Sequence, residues 1–173
     1  MKSWFLALVI GAFTAHTSAE TFSIPDVGVS FEAPEGYTKL DATEIANKYP
    51  SNRGPAFVVG NERRTTSIAY DLKPNGFPAD KISEVKEFFE KTFDRIIPGI
   101  EWKQKKLVDM LGQQWIYLEM SSRAIDTDIH NIMLITPLQG KMLIFNFNST
   151  KAEFPKVEAE LRASINSIAF KPK

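Results

Sequence analysis

The sequence predicts an α+β fold: an α/β/α sandwich in which a largely antiparallel, twisted sheet is flanked by helices. Three observations carry that expectation. Residues 102–148 read as consecutive strands joined by short turns. Two segments, Ile82–Ile96 and Phe154–Ile168, repeat apolar residues at steps of three and four, the spacing of one helix face. The strands carry apolar residues on both faces, so the sheet is expected to be covered twice. Strands with helices before and after them suit such a layered domain.

The chain has 173 residues and begins with a basic Lys2, an apolar block from Trp4 to Phe13, and small residues Thr17, Ser18 and Ala19. This is the pattern of a secretory signal peptide cut after Ala19. The block falls short of the roughly 20 apolar residues needed to span a bilayer. Residues 1–19 are therefore expected to be a signal, and 20–173 a single domain working in the periplasm or outside the cell. A domain of this length buries enough surface to need neither disulfide nor metal, and the chain has no cysteine. A lipid-modified N-terminal cysteine is excluded for the same reason.

Phe22 and Ile24, then Val29, Phe31 and Ala33, alternate about Pro25-Asp26-Val27-Gly28, which reads as a hairpin closed by Pro34-Glu35-Gly36. Asp41-Ala42-Thr43-Glu44 has the form of a capping box, with Leu40 and Ile45 placed as a hydrophobic staple, and Tyr49-Pro50 stops that short helix. Ala56–Val59 and Thr66–Leu72 read as paired strands connected by Asn61–Arg64. Asp80 is expected to cap the helix carrying Ile82, Val85, Phe89, Phe93 and Ile96, which Pro98-Gly99 closes. Strands 102–111, 114–122, 128–136 and 142–148 follow, turning at Gly112 and at Pro137–Gly140. Thr150-Lys151-Ala152-Glu153 offers a second capping box, although Pro155 pushes the true helix start a few residues later.

This order of pieces resembles the PsbP-like and DcrB-like proteins. The residues that carry the likeness are the opening Phe22 to Tyr37, with its apolar strand, Pro, Gly and aromatic. The central helix after Ala69-Tyr70-Asp71-Leu72 adds to it, as does the strand Leu143–Phe147 leading to a helix that ends in Ser164–Ile168. The resemblance implies an α/β/α sandwich and a mostly non-enzymatic group: extrinsic photosystem II subunits, a nuclear-import accessory protein, bacterial envelope proteins and effector chaperones. Fold-level analogy does not choose among these roles.

Charge is balanced, at 21 basic and 21 acidic residues. Lys103, Lys105 and Lys106 beside Trp102 are the best local basic group, and they read as a solvated strand rather than a nucleic-acid stripe. Past the signal, His130 is the one histidine, so a Ser–His–Asp triad has a single possible base, and no Gly-x-Ser-x-Gly elbow or phosphate-binding glycine loop is present.

Asp126, Asp128 and His130, two residues apart on a strand, share a face and form the candidate metal site, of a type suited to zinc or manganese. The competing reading is a polar hairpin connection. Glu32, Asp109 and Glu119 are the scattered carboxylates on which an enzyme reading would rest, against ordinary sheet-surface charge. Trp102, Trp115 and Tyr117 are the candidate partner-binding aromatics; core packing is the default for such residues. No cofactor and no membrane span are expected. The leading expectation is an exported, non-enzymatic module binding another envelope protein. An immunity protein against a periplasm-delivered toxin, a small-ligand or metal carrier, and a carboxylate enzyme stand behind it in that order.

Overall fold

The structure, a computed structural model, describes residues 19–24, 27–49, 54–124 and 127–170. The signal segment 1–18, Pro25-Asp26, Pro50 and Asp126 lie outside the described residues.

A seven-stranded antiparallel sheet forms the centre, in the order β3-β4-β5-β9-β8-β7-β6. Its strands are β3 (Thr38–Lys39), β4 (Phe57–Gly60), β5 (Thr66–Lys73), β6 (Glu101–Met110), β7 (Gln113–Arg123), β8 (Asp128–Leu138) and β9 (Lys141–Thr150). The meander β6–β9 is the longest run of consecutive strands. It turns at Leu111-Gly112 and Gln139-Gly140, whose paired positive φ values (57° and 77°, then 51° and 74°) are those of hairpin turns that match the strand twist. A separate three-stranded sheet combines the N-terminal hairpin, β1 (Glu20–Ile24) and β2 (Val29–Ala33), with the short β10 (Ala169–Phe170). The sequence pattern marked the hairpin but neither β3 nor β10, each only two residues long.

The helices fall on both sides of the large sheet, giving the α+β sandwich. One face carries Val59, Ile68, Tyr70, Trp115, Leu134 and Phe145. It is covered by α3 (Phe154–Asn166), which supplies Leu161 and Ile165, and by the small sheet, which supplies Phe22, Val29 and Phe31. Phe31 meets Tyr70 and Phe145 edge-on at 5.2 and 5.5 Å, an arrangement aromatic rings favour. The other face carries Ile116, Leu118, Met120 and Ile135 beneath α2 (Ile82–Ile96). Further along the same face Val58 and Ala69 lie beneath α1 (Ala42–Lys48), against Leu40 and Ile45.

The first capping box is formed: the Glu44 amide donates to Asp41 Oδ1 at 2.8 Å and the Asp41 amide donates to Glu44 Oε2 at 2.9 Å. The other two expected caps are corrected. Asp80 lies inside a 3-10 turn, Ala79–Lys81, and Lys81 is the cap residue, without a side-chain bond. Pro78 opens that turn by accepting from the Lys81 amide at 3.0 Å. At Thr150 half a box survives. The Glu153 amide reaches the Thr150 hydroxyl at 3.3 Å, but the Glu153 carboxylate turns to Arg63 and Lys156. The Thr150 amide is already given to the Thr65 carbonyl, because β9 runs on to Thr150. The helix therefore starts at Phe154, and it ends at Asn166 so that Ala169 can join the small sheet.

Candidate functional site

Alternation along β7 aims Tyr117 and Glu119 at α3, and His130 on β8 faces the same way. Glu119, only 4% exposed, accepts from Tyr117 OH at 2.8 Å and from Arg162 Nη2 at 3.1 Å, and its Oε1 lies 2.9 Å from His130 Nε2. Arg162 also donates to Tyr117 OH and to Glu158, both at 2.8 Å. Burial pushes the Glu119 carboxyl up, but the bonds from His130 and Tyr117 and the Arg162 guanidinium outweigh it and hold it down at about 2. Burial and the neighbouring Glu119 carboxylate push the Tyr117 phenol up to about 12, against the opposing pull of Arg162. Every charge here has a partner, so the cluster fixes α3 to the sheet.

This cluster locates the sequence candidates. His130 is engaged by Glu119 and its ring stacks on Phe154 at 3.6 Å. Asp128 sits at the exposed start of β8, 3.9 Å from Lys151, and Asp126 lies outside the described residues. Among the described residues no three His, Asp or Glu side chains gather as metal ligands. Of the carboxylates, Glu119 is spent in the cluster, while Glu32 in the small sheet and Asp109 on the edge strand β6 are exposed. The aromatics separate between the faces. Trp115 is fully buried beside Phe145, with its indole N–H on the Met110 carbonyl at 2.9 Å. Tyr117 lies on that face too, whereas Trp102 packs on the opposite one, stacked on Phe93 and hydrogen-bonded to Asp94 at 2.7 Å. Lys105 pairs with Glu90 at 3.3 Å, Lys103 lies 3.7 Å from Glu101, and Lys106 covers the Tyr117 ring at 4.8 Å.

A cavity of about 370 Å³ opens beside α3 at Tyr117, Leu134 and Arg162, and on the other face α1 and α2 leave part of the sheet bare. A cavity of about 420 Å³ has Ala69, Met133, Ile144 and Asn146 on its floor and Lys48, Tyr49, Gly54 and Pro55 along its wall. A second, of about 640 Å³, adjoins it at Lys48 and Tyr49 and extends over Asn148 to Thr127 and Ile129. Neighbouring strand positions, Asn131↔Asn148 and Met133↔Asn146, place three asparagines in this region. Asn148 Nδ2 donates to Asn131 Oδ1 at 2.8 Å, but Asn146 Oδ1 is buried without a hydrogen-bond partner. Burial pushes the Lys48 ammonium down, and the like charge of Arg64 adds to the effect; its Nζ donates to the Arg64 carbonyl at 3.0 Å. Burial pushes the Tyr49 phenol up, against the nearby Ser67 hydroxyl. Asp71 and Lys73 close one end as an ion pair.

Sequence reasoning missed this cleft. Its signal was present in Ile144-Phe145-Asn146-Phe147-Asn148, where amides replace apolar residues on one face of a central strand. The polar face of such a strand needs a reason when the sheet is covered on both sides.

No protein-family model matches the chain, and no significant match to it exists among curated protein sequences. Solved structures do match. The solution structure of cyanobacterial PsbP (CyanoP) from Synechocystis sp. PCC 6803 superposes with a TM-score of 0.63 at 18% identity, covering 93% of this chain and 98% of that one. PA94 of Pseudomonas aeruginosa, a protein of unknown function described as a putative regulator, gives 0.54 at 13%, over 90% and 99%. LpqN of Mycobacterium tuberculosis, involved in cell envelope biogenesis, gives 0.55 at 12%, over 91% and 88%. The chain has the PsbP-like fold. None of these three neighbours is named as an enzyme, and no described helix is long and apolar enough to cross a membrane.

Proposed function

We propose that this chain is an exported, non-enzymatic module of the bacterial envelope that binds another protein through the cleft between α1 and α2. The observation that carries the reading is the bare strip of sheet around Met133, Ile144 and Asn146, where a buried amide oxygen is left without a partner, which the cavity beside α3 does not show. Half-buried apolar side chains with one orphan amide oxygen suit complex formation, because a partner removes the apolar surface from water and satisfies the acceptor. The Lys2–Phe13 block and Thr17-Ser18-Ala19 support export with cleavage after Ala19. The envelope role of LpqN agrees with that address. The full engagement of Glu119 and His130 speaks against catalysis at the most chemical cluster.

A photo-cross-linking residue at Ile144 is expected to give one adduct of discrete mass in cells, and the same residue at Lys156 on α3 to give none. Equal labelling at both positions, or turnover of an envelope substrate by the purified protein, overturns the reading. Mass spectrometry of the exported chain is expected to find Glu20 as its first residue. A small-ligand carrier is the second reading, favoured by the 420 Å³ cavity, which falls in the usual range for small-molecule sites.

A further inference from the structure

We infer that the cleft takes a segment of the partner protein that sets an Asp or Glu side chain against Lys48 and large apolar side chains on Met133 and Ile144. This rests on the cleft being the protein-binding site, and adds the chemistry of what enters it.

Charge is the first argument. Lys48 ends α1 and lines both cavities. Its hydrogen bond goes to a carbonyl, and the charge that acts on it is another cation, Arg64. Arg64 is itself neutralised by Glu44 at 2.8 Å, and Asp71 is neutralised by Lys73. Among the described residues, then, the cleft holds one cation, Lys48, with no carboxylate within ion-pair distance, since Glu44 is held by Arg64 and Asp71 by Lys73. A half-desolvated cation of this kind favours an anionic partner strongly, because the cost of removing it from water has already been met.

Shape is the second. Met133 and Ile144 line the cavity and also belong to the apolar cluster beneath α2. Lys86 and Glu90 on α2 face β6, where Lys105 pairs with Glu90. Helical spacing therefore puts Phe88, Thr92 and Ile96 on the flank turned away from β6, towards the bare strip. Phe88 is 63% exposed and Ile96 is 59% exposed. The apolar surface thus runs from a pocket up onto a helix, farther than a small molecule seated in the cavity would cover, and a chain segment matches that extent. The buried Asn146 Oδ1 adds an acceptor for one main-chain N–H of the segment.

The test selects peptides of about a dozen residues, displayed on phage, against the purified protein. Selected sequences are expected to carry an acidic residue flanked by large apolar ones. For a synthetic peptide of that sequence, Lys48→Gln in the protein and acid-to-amide exchange in the peptide should each weaken binding about tenfold. Combining the two changes should add little, since both remove one interaction. The glutamine keeps a donor for the Arg64 carbonyl, and an unchanged melting curve confirms the fold. Met133→Glu should abolish binding. Selected peptides without acidic enrichment, or equal affinity for Lys48→Gln, overturn the acidic segment; if Met133→Glu still abolishes binding, the cleft survives as the binding site. Peptides indifferent to both substitutions overturn both readings. No selected peptide, with saturable Lys48-dependent binding of dodecyl phosphate instead, overturns the segment in favour of a lipid-like amphiphile.

Discussion

The two faces of the large sheet are built from the same strands by the same alternation, yet they are finished differently. On the α3 face Leu143, Phe145 and Phe147 are fully buried, and even the charged Glu119 is sealed among Tyr117, His130 and Arg162. On the α2 face the intervening Ile144 and Asn146 are only half-buried, and among the α2 residues only Ile82 is fully buried. One face has two covers in contact, α3 and the small sheet, tied where the Glu32 amide donates to Ser167 Oγ at 2.8 Å. The other has two helices that leave a gap. The difference separates what holds the molecule together from what is available to another one.

The sharpest way to break that comparison uses adjacent residues of β9. Leu143→Ala is expected to cost about 2–5 kcal/mol, the range for emptying a closed core site. Ile144→Ala, on the open face, should cost about 1 kcal/mol, because part of its surface is already in water. Urea melts of the two variants measure this. Equal losses would mean that both faces are closed.

The next effect is that of Glu119→Gln, expected to cost about 2 kcal/mol at neutral pH, since it takes one of two carboxylate partners from the partly exposed Arg162, which keeps Glu158, and leaves His130 and Tyr117 facing a weaker acceptor. The carboxyl titrates at about 2, below its ordinary 4.5, so its stabilising contribution is complete above 4.5 and is lost as pH falls towards 2. The variant should therefore lose less stability than the parent across that window. Matching pH profiles in chemical denaturation would assign the charge no such role.

Asp41→Ala should cost about 1 kcal/mol by unmaking the capping box, and should loosen the α1 wall of the cleft. Hydrogen exchange in residues 42–48 reads that loosening directly. The smallest effect is expected at Asn146. Replacement by Leu removes a buried acceptor without a partner and should leave stability unchanged or raise it by up to about 1 kcal/mol. A clear loss would reveal a partner for its amide.

Legibility in the sequence follows the range of the interaction. The helices at 82–96 and 154–166, the capping box at Asp41 and the meander from 101 to 150 rest on periodicity or contacts a few residues apart, and were readable on that basis. β3 and β10 were not: two residues carry no period, and each strand exists because a distant partner lies beside it, Val59-Gly60 for one and Val29-Ser30 for the other. The expected caps at Asp80 and Thr150 changed because Pro78 opened a 3-10 turn and Thr65 captured the Thr150 amide. Trp102 parted from Trp115 and Tyr117 because a bulge in β6 between Trp102 and Gln104 shifts the register and sends it to the other face, where Phe93 receives it.

By itself the sequence determined which residues share a face and how many layers the fold requires, because those follow from strand and helix periods and from the burial that apolar side chains demand. Only the tertiary structure decided that His130 would be engaged by Glu119, and that the strip around Asn146 would stay uncovered. Both depend on where α1, α2 and α3 come to rest on the sheet, and that position is set by packing between residues far apart in the chain.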